Sequence, residues 1–352
     1  MKSVKFLSWE TIEKKTRWIF EKFPSEKILS SRVRLARNIE GFPFPHNMSF
    51  KEGEKVENLI LEKLIEYQTD EMFVIRVDKI SQIEKDFLVE RHIISKEFTE
   101  NHLPSTVVIF PEERVSIMIN EEDHIRIQSI QPGNNLRKAF RMVNRIDDFL
   151  DKKLNYAFSK ELGYLTACPT NIGTGLRASF LLHLPALSLS GNIKRVFGAI
   201  EEIGIMVRGF YGEGTIPAGN IFQISTRETT GKEEKEIIEE IESVVKLIIE
   251  EEKKAVEMLK KSEKLKKKIY RELKEMKEIE SISSQEFFPI FSLVSLAEEM
   301  GIISMNRRVL KNLFIETLPA HMQFKKKMVL SSVERDYERG KIIKRKVRSL
   351  NV

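Results

Sequence analysis

The chain has 352 residues, 41% of them hydrophobic and 32% charged. That is long enough for two or three domains, yet no apolar run approaches the roughly 20 residues of a membrane-spanning helix. "MKSVKFLSWETIEKK" has no apolar centre of a secretory signal, and one cysteine, Cys168, excludes an internal disulfide and fits a reducing cytoplasm. The net charge of +6 favours an acidic partner without choosing among nucleotide, phosphoprotein and nucleic acid.

In chain order, residues 25–230 mix short strand-like runs with amphipathic helices and hold most of the Gly and Pro, which predicts an α+β domain. "SSRVRLAR" (30–37) places Arg32 and Arg34 two apart, so a strand would put both on one face. Such a pair is unfavourable unless an anion lies between, and guanidinium forks bind phosphate oxygens in bidentate fashion. Separate surface ion pairs are the plainer account of each arginine alone. "STVVIFPEERVSIMIN" predicts a hairpin around the turn Pro111–Arg114. In "SIMINEEDHIRIQSI" (116–130) three carboxylates, Glu121, Glu122 and Asp123, interrupt two strand-like runs, and alternation sets Arg126 opposite Ile125 and Ile127. A helix follows, capped by Asn134 or Asn135 and striped by Leu136, Phe140, Val143 and Leu150.

"CPTNIGTGLRAS" (168–179) reads as a glycine turn before a helix starting near Arg177, and "VRGFYGEGT" (207–215) holds a further arginine among glycines. No GxxxxGK[ST] loop and no protein-kinase HRD or DFG set occurs, so any ATP site is built from side chains. After Thr230 the chain is predicted helical to about residue 280 without a break, opened by a capping box from Thr230 to Glu233 and striped by Ile237, Ile241, Val244, Val245 and Ile248. A small helical region ends in "RDYERGKIIKRKVRSLNV", where Arg335 and Arg339 share a helix face.

Taken together and in this order, "SSRVRLARN", "NEEDHIRI", "CPTNIGTGLRAS" and "RGFYGEG" resemble the catalytic domain of the phosphagen (guanidino) kinases over residues 25–235. The short stretch before the first motif and the C-terminal "RDYERG", similar to an RDxxRA phosphoarginine-binding motif, resemble the bacterial protein-arginine kinases in particular. The resemblance implies an α+β fold: a phosphagen-kinase-like catalytic domain, an antiparallel sheet flanked by helices, over 1–250, then a small all-helical phosphoarginine-binding domain over 251–352.

It further implies ATP and Mg²⁺ as cofactors and Glu122 as the catalytic carboxylate. The nucleotide-binding stretches would be Ser30, Ser31, Arg32, Val33 and Arg34, then His92 and Arg126. Arg177, Ala178, Ser179, Phe180 and Leu181 follow, and last Arg208, Gly209, Phe210, Tyr211, Gly212 and Glu213. Acceptor contacts would come from Glu122, Glu213 and Cys168, and allosteric phosphoarginine contacts from Arg335, Asp336 and Arg339. No protein cage for a metal is expected, because Mg²⁺ leans on substrate phosphates and water. Implied partners are protein substrates with exposed arginine, a small zinc-containing activator, an AAA+ Clp protease system and a second copy of the chain. Nothing points to a membrane, and no aromatic-basic interleaving points to nucleic acid.

The chemistry gives the carboxylate a purpose. A guanidinium has a pKa above about 12 and is a poor nucleophile while cationic, so a glutamate must orient it and take its proton. Three departures from the family pattern stand out: Tyr211 where small-guanidino kinases carry arginine, Ile216 where they carry glutamate, and Gly340 where the C-terminal motif ends in alanine. Two other readings remain open at this level, a phosphagen kinase acting on a free small guanidine and a silent phosphoarginine-binding adaptor.

Overall fold

The computed structural model describes residues 9–23, 26–67, 72–112, 114–210, 218–227 and 230–347. The strands are β1 (Ile28–Arg37), β2 (Phe73–Arg76), β3 (Thr106–Phe110), β4 (Val115–Ile119), β5 (Ile125–Pro132), β6 (Phe158–Ser159), β7 (Gly163–Tyr164), β8 (Leu176–His183), β9 (Ile205–Gly209) and β10 (Ile221–Thr226). The helices are α1 (Trp9–Lys15), α2 (Phe50–Glu66), α3 (Gln82–Glu90), α4 (Leu136–Asp151), α5 (Pro185–Leu189), α6 (Ile193–Glu202), α7 (Glu234–Leu259), α8 (Glu263–Glu278), α9 (Ser284–Glu299), α10 (Arg307–Glu316), α11 (Pro319–Lys326) and α12 (Ser332–Val347). The main sheet runs β2-β3-β4-β5-β1-β8-β10-β9, and β6 and β7 form a separate hairpin. The pairings β2–β3, β3–β4, β4–β5 and β5–β1 are antiparallel, so the α+β class with an antiparallel sheet and a helical C-terminal region is what the chain adopts.

Among the described residues the chain divides into two compact units. The first takes Met1–Glu21, Ser30–Phe180 and Ser225–Glu242, and the second Lys22–Leu29, Leu181–Ile224 and Ser243–Val352. In the first, β1 shows why period 2 matters: Val33 and Leu35 are fully buried on one face while Arg32 and Arg34 stay partly open on the other. Each such buried aliphatic contributes roughly 1.5–3 kcal/mol. Arg37 follows Val33 and Leu35 inward and is matched there: Nη2 and Nε donate to Asp147 Oδ2 at 2.6 and 3.1 Å, Nη1 donates to the Ala36 and Thr174 carbonyls, and Tyr164 stacks 3.6 Å away. A Cβ on Gly175, which sits at φ +64°, would lie 2.6 Å from both Ala36 O and Arg37 Nη1, so the "NIGTG" turn serves this close approach.

α4 begins after Asn135 as expected, with Leu136, Val143 and Leu150 buried together with Ala139 and Ile146, and Phe140 half-buried. Three local expectations are corrected. Arg177 opens a strand, β8, in place of a helix: the run "LRASFLLH" is buried beyond its arginine, and sheet pairing overrides the helix propensity of Leu and Ala. The long helix breaks at residues 260–262, where the Ser262 hydroxyl caps α8 by accepting from Leu265 N. α7 starts at Glu234, the Glu233 amide donating to Glu236, while the Thr230 hydroxyl donates to Ile172 O.

The second unit is knit by Phe23, Phe291 and Phe314 and by two buried polar hubs. Glu252, fully buried, accepts from the Ala186 and Leu187 amides and from Lys27 Nζ. His183 Nε2 lies 2.8 Å from Ser292 Oγ, which also accepts from Asn220. Burial, helped by the charge of Lys27, lowers the His183 pKa to about 3.

Candidate active site

Strand register assembles the site in the first unit. Arg34 stands opposite Gln128 and Ala36 opposite Arg126, so Arg32, Arg34 and Arg126 share one face of the sheet. Arg177, on β8, and the turn carboxylate Glu121 complete the charges that act on Arg34. The Arg34 guanidinium has Nε and Nη2 sealed from solvent without a hydrogen-bond partner among the described residues. Burial first, then the charges of Arg32, Arg126 and Arg177, hold its pKa well below the ordinary value. Four guanidiniums gathered around unmatched donors is a costly arrangement alone and a fitting one for a polyphosphate.

The "NEED" turn joins β4 to β5 and gives each carboxylate its own position. Asn120 adopts a left-handed φ of 58°, which Asn tolerates, and its amide Nδ2 donates to Gly53 O and Pro104 O, fixing where the turn emerges. Glu121 is buried: one carboxylate oxygen receives Arg126 Nη1 and the other Ser95 Oγ. Burial would raise its pKa, but the charge of Arg126 and these bonds hold it below the carboxylate range. Asp123 accepts from Asn38 Nδ2 at 2.6 Å and from the Ala167 amide at 2.7 Å, tying the turn to the loop that bears Cys168. Glu122 is exposed at the tip. Partial enclosure raises its pKa, with Arg126 and Arg34 opposing and Asp123 and Glu121 adding.

His92 follows α3 at φ 56°; burial first, then the charges of Arg32 and Arg34, lower its pKa to about 3, so it is neutral at physiological pH. Cys168 is half-buried with Sγ 3.1 Å from Thr170 Oγ1.

Not every residue of the implied stretches turns its side chain to this face. Ser31 is buried behind β1, its hydroxyl donating to Gly133 O and accepting from Asn135 N, and Val33 is core. On β8, Ala178 and Phe180 are buried and alternate with Arg177, Ser179 and Leu181. Ser30 is buried on the arginine side of β1. Arg208 and Gly209 lie on β9 with Phe210 following, in the second unit; Arg208 is half-buried and its Nη2 approaches Met206 Sδ. Tyr211, Gly212, Glu213 and Ile216 lie outside the described residues. Asn38, Ser95 and Gln128 are site residues that sequence reading missed: each acts through a partner distant in the chain, which no local period reveals.

In the second unit, Arg339 is buried on α12, Nη1 donating to Ile282 O and Asp336 Oδ1 at 2.7 Å and Nε to Thr317 O at 3.2 Å. Arg335 is half-exposed. The two arginines, expected to act as a matched pair, therefore differ in environment. Gly340 replaces alanine for a visible reason: a Cβ there would lie 2.2 Å from Glu280 O.

Known proteins are similar to this chain in sequence and in fold. The sequence profile "ATP:guanido phosphotransferase, C-terminal catalytic domain" matches residues 54–255, and "Protein-arginine kinase McsB C-terminal domain" matches 262–352. A protein-arginine kinase from Halothermothrix orenii is 40% identical over 331 residues, 93% of this chain and 95% of that protein. The Bacillus subtilis protein-arginine kinase is 40% identical over 94% of this chain and 93% of its own length. Among solved structures, lombricine kinase aligns with TM-score 0.57 at 26% identity, covering 68% of this chain and 70% of that one. The duplicated taurocyamine kinase of Schistosoma mansoni with bound transition-state-analogue components aligns at TM-score 0.57 and 28% identity, over 71% of this chain and 35% of that chain.

Proposed function

The chain belongs to the protein-arginine kinases of the ATP:guanido phosphotransferase family, and we propose that it transfers the γ-phosphoryl group of MgATP to arginine side chains of protein substrates. The observation that carries this reading is the cluster of Arg32, Arg34, Arg126 and Arg177 around the sealed Arg34 donors, with Glu122 exposed at the adjoining turn.

ATP supplies the phosphoryl group and, with Mg²⁺, a neutralised leaving group. Arg32, Arg34, Arg126 and Arg177 would hold its phosphates, with Arg208 implied as a further ligand by the resemblance. Fixed guanidiniums stabilise charge on the phosphoryl oxygens without reorganising during the reaction. Glu122 orients the acceptor guanidinium and takes its proton; a nitrogen–phosphorus bond forms as the bond from the γ-phosphorus to the ADP oxygen breaks. Partial enclosure raises the Glu122 pKa, which makes the carboxylate a better proton acceptor than a solvated one. Asp123 fixes the Cys168 loop next to the turn, where Cys168 would flank the acceptor.

Arg335 and Asp336 supply the charges through which phosphoarginine would bind α12, with Arg339 holding Asp336 in place. By family resemblance, the mark hands proteins to a Clp-type protease or alters regulators in the cytoplasm. A homodimer and a zinc-containing activator complete that picture. The test is phosphoarginine mass spectrometry, free of acid, on a basic unfolded protein incubated with the chain and MgATP, beside Glu122→Gln and with free arginine in parallel. Protein phosphoarginine that disappears in the variant supports the proposal; phosphorylation of free arginine alone replaces it with a small-guanidine kinase.

A further inference from the structure

His92 occupies an unusual backbone position. The His92 amide donates to Val89 O and the Ile93 amide to Leu88 O, which closes α3 in the left-handed cap normally built on glycine. A side chain there costs about 1 kcal/mol, so the position is kept against a local preference, as strained residues at functional sites are. Past the cap, the His92 and Ile93 carbonyls have left the helix and need donors. Both find one in Gln128: Nε2 lies 2.9 Å from His92 O, 2.7 Å from Ile93 O and 2.8 Å from Ser116 Oγ, which itself donates to Ile93 O at 3.0 Å.

The register explains why Gln128 can do this. On β5 it is paired with Arg34 of β1 on one side and Ser116 of β4 on the other. It is 2% exposed, and its amide reaches from the arginine-bearing face to the segment that carries the imidazole. Three residues on, Ser95 fastens the same segment to Glu121 of the catalytic turn.

We propose that Gln128 is a positioning residue for the nucleotide: paired with Arg34, it fixes the strained His92 backbone and so the direction of the imidazole relative to the arginine-bearing face, and it governs nucleotide binding without touching the ligand. The inference rests on the kinase reading above and extends it to a residue outside the arginine and carboxylate motifs.

The experiment compares MgADP binding by calorimetry for the full chain, Gln128→Met, His92→Ala, the double variant and His92→Gly, with KM for ATP and for a protein acceptor measured on each. Gln128→Met keeps the side chain's length and removes both donors. It is expected to weaken ADP binding and raise KM for ATP about tenfold, leaving KM for the acceptor unchanged. Because Gln128 acts through His92, the double variant should bind no more than about twofold more weakly than His92→Ala. His92→Gly relieves the backbone strain, so it should melt higher than the unaltered chain and still lose ADP affinity; this holds the idea to account even if Gln128→Met folds poorly. Native ADP affinity in Gln128→Met or His92→Gly, or full additivity in the double variant, overturns the inference alone. No ADP binding by the unaltered chain overturns the kinase reading with it.

Discussion

Glu121 and Glu122 are neighbours in sequence and opposites in the structure: the first is buried against Arg126 with its pKa lowered, the second is exposed at the turn with its pKa raised. Of the two, Glu122 is the one open to an incoming acceptor. Glu122→Gln is expected to cut phosphoryl transfer at least about 100-fold while ADP affinity changes less than about threefold. In the unaltered chain kcat should fall as pH drops through the raised Glu122 pKa, since the protonated carboxyl cannot accept the guanidinium proton. A pH profile of protein phosphorylation checks this; a Glu122→Gln variant of near-native rate would remove Glu122 from the mechanism.

The self-repulsion around Arg34 should be visible without any substrate turnover. Arg34→Met is expected to raise the melting temperature of the nucleotide-free protein by about 2–4 °C. It should also abolish most of the thermal shift that ADP or inorganic triphosphate gives the unaltered chain. Thermal melts with and without ligand decide the matter, and a destabilised, fully ligand-responsive variant would contradict it.

The buried His183 makes acid stability a property of the second unit. Its folded pKa, about 3, lies below the ordinary value of about 6.5. The unfolded chain therefore binds the extra proton first, and stability present above pH 6.5 is lost as pH falls toward the folded value. The loss reaches about 2 kcal/mol at pH 5. Unfolding free energies from urea melts at pH 7 and pH 5 should converge by about that amount in His183→Gln relative to the unaltered chain; an unchanged pH dependence would show that His183 is not buried neutral.

Arg335 and Arg339 should separate cleanly. Removing Arg339 strands two buried carbonyls and Asp336, so Arg339→Ala is expected to destabilise by about 2–4 kcal/mol. Arg335→Ala, at a half-exposed position, should stay within about 0.5 kcal/mol of the unaltered chain and lose affinity for a phosphoarginine peptide. Denaturation and peptide titration on both variants are the measurements, and equal stability of the two would refute the division of labour.

Gly340→Ala tests a contact that helix propensity alone would mispredict. Alanine is favoured over glycine inside a helix by about 1 kcal/mol. Its methyl group would nonetheless meet the Glu280 carbonyl at 2.2 Å, and overpacking of this kind costs about 1–3 kcal/mol. A lowered urea midpoint is expected; a raised one means residues 280–281 yield without cost.

Much of the site was legible because strands repeat every two residues. Arg32 and Arg34 on one face and Arg126 opposite Ile125 and Ile127 follow from alternation alone, and the β3–β4 hairpin from its turn residues. Glu122 was legible only through the motif, since "EED" by composition gives three equal carboxylates; what distinguishes them is Arg126, Asn38, Ser95 and the Ala167 amide, reached across the sheet. The same holds for Gln128, which alternation places on a face but cannot connect to the end of α3. β8 was misread because Leu and Ala favour helices when considered locally, and the α7–α8 break because neither glycine nor proline marks it. For Arg339 the sequence shows the charge but not the Ile282 and Thr317 carbonyls that its guanidinium meets.

Each compact unit draws on three separate stretches of chain, and that imposes an order on biosynthesis. As the chain leaves the ribosome from its N-terminus, the first unit cannot close until Ser225–Glu242 has emerged, although most of it is already outside. The segment Lys22–Leu29 meets His183 only once β8 has emerged, and the phenylalanines of α9 and α10 later still. A nascent chain stalled before residue 225 would therefore hold neither unit complete.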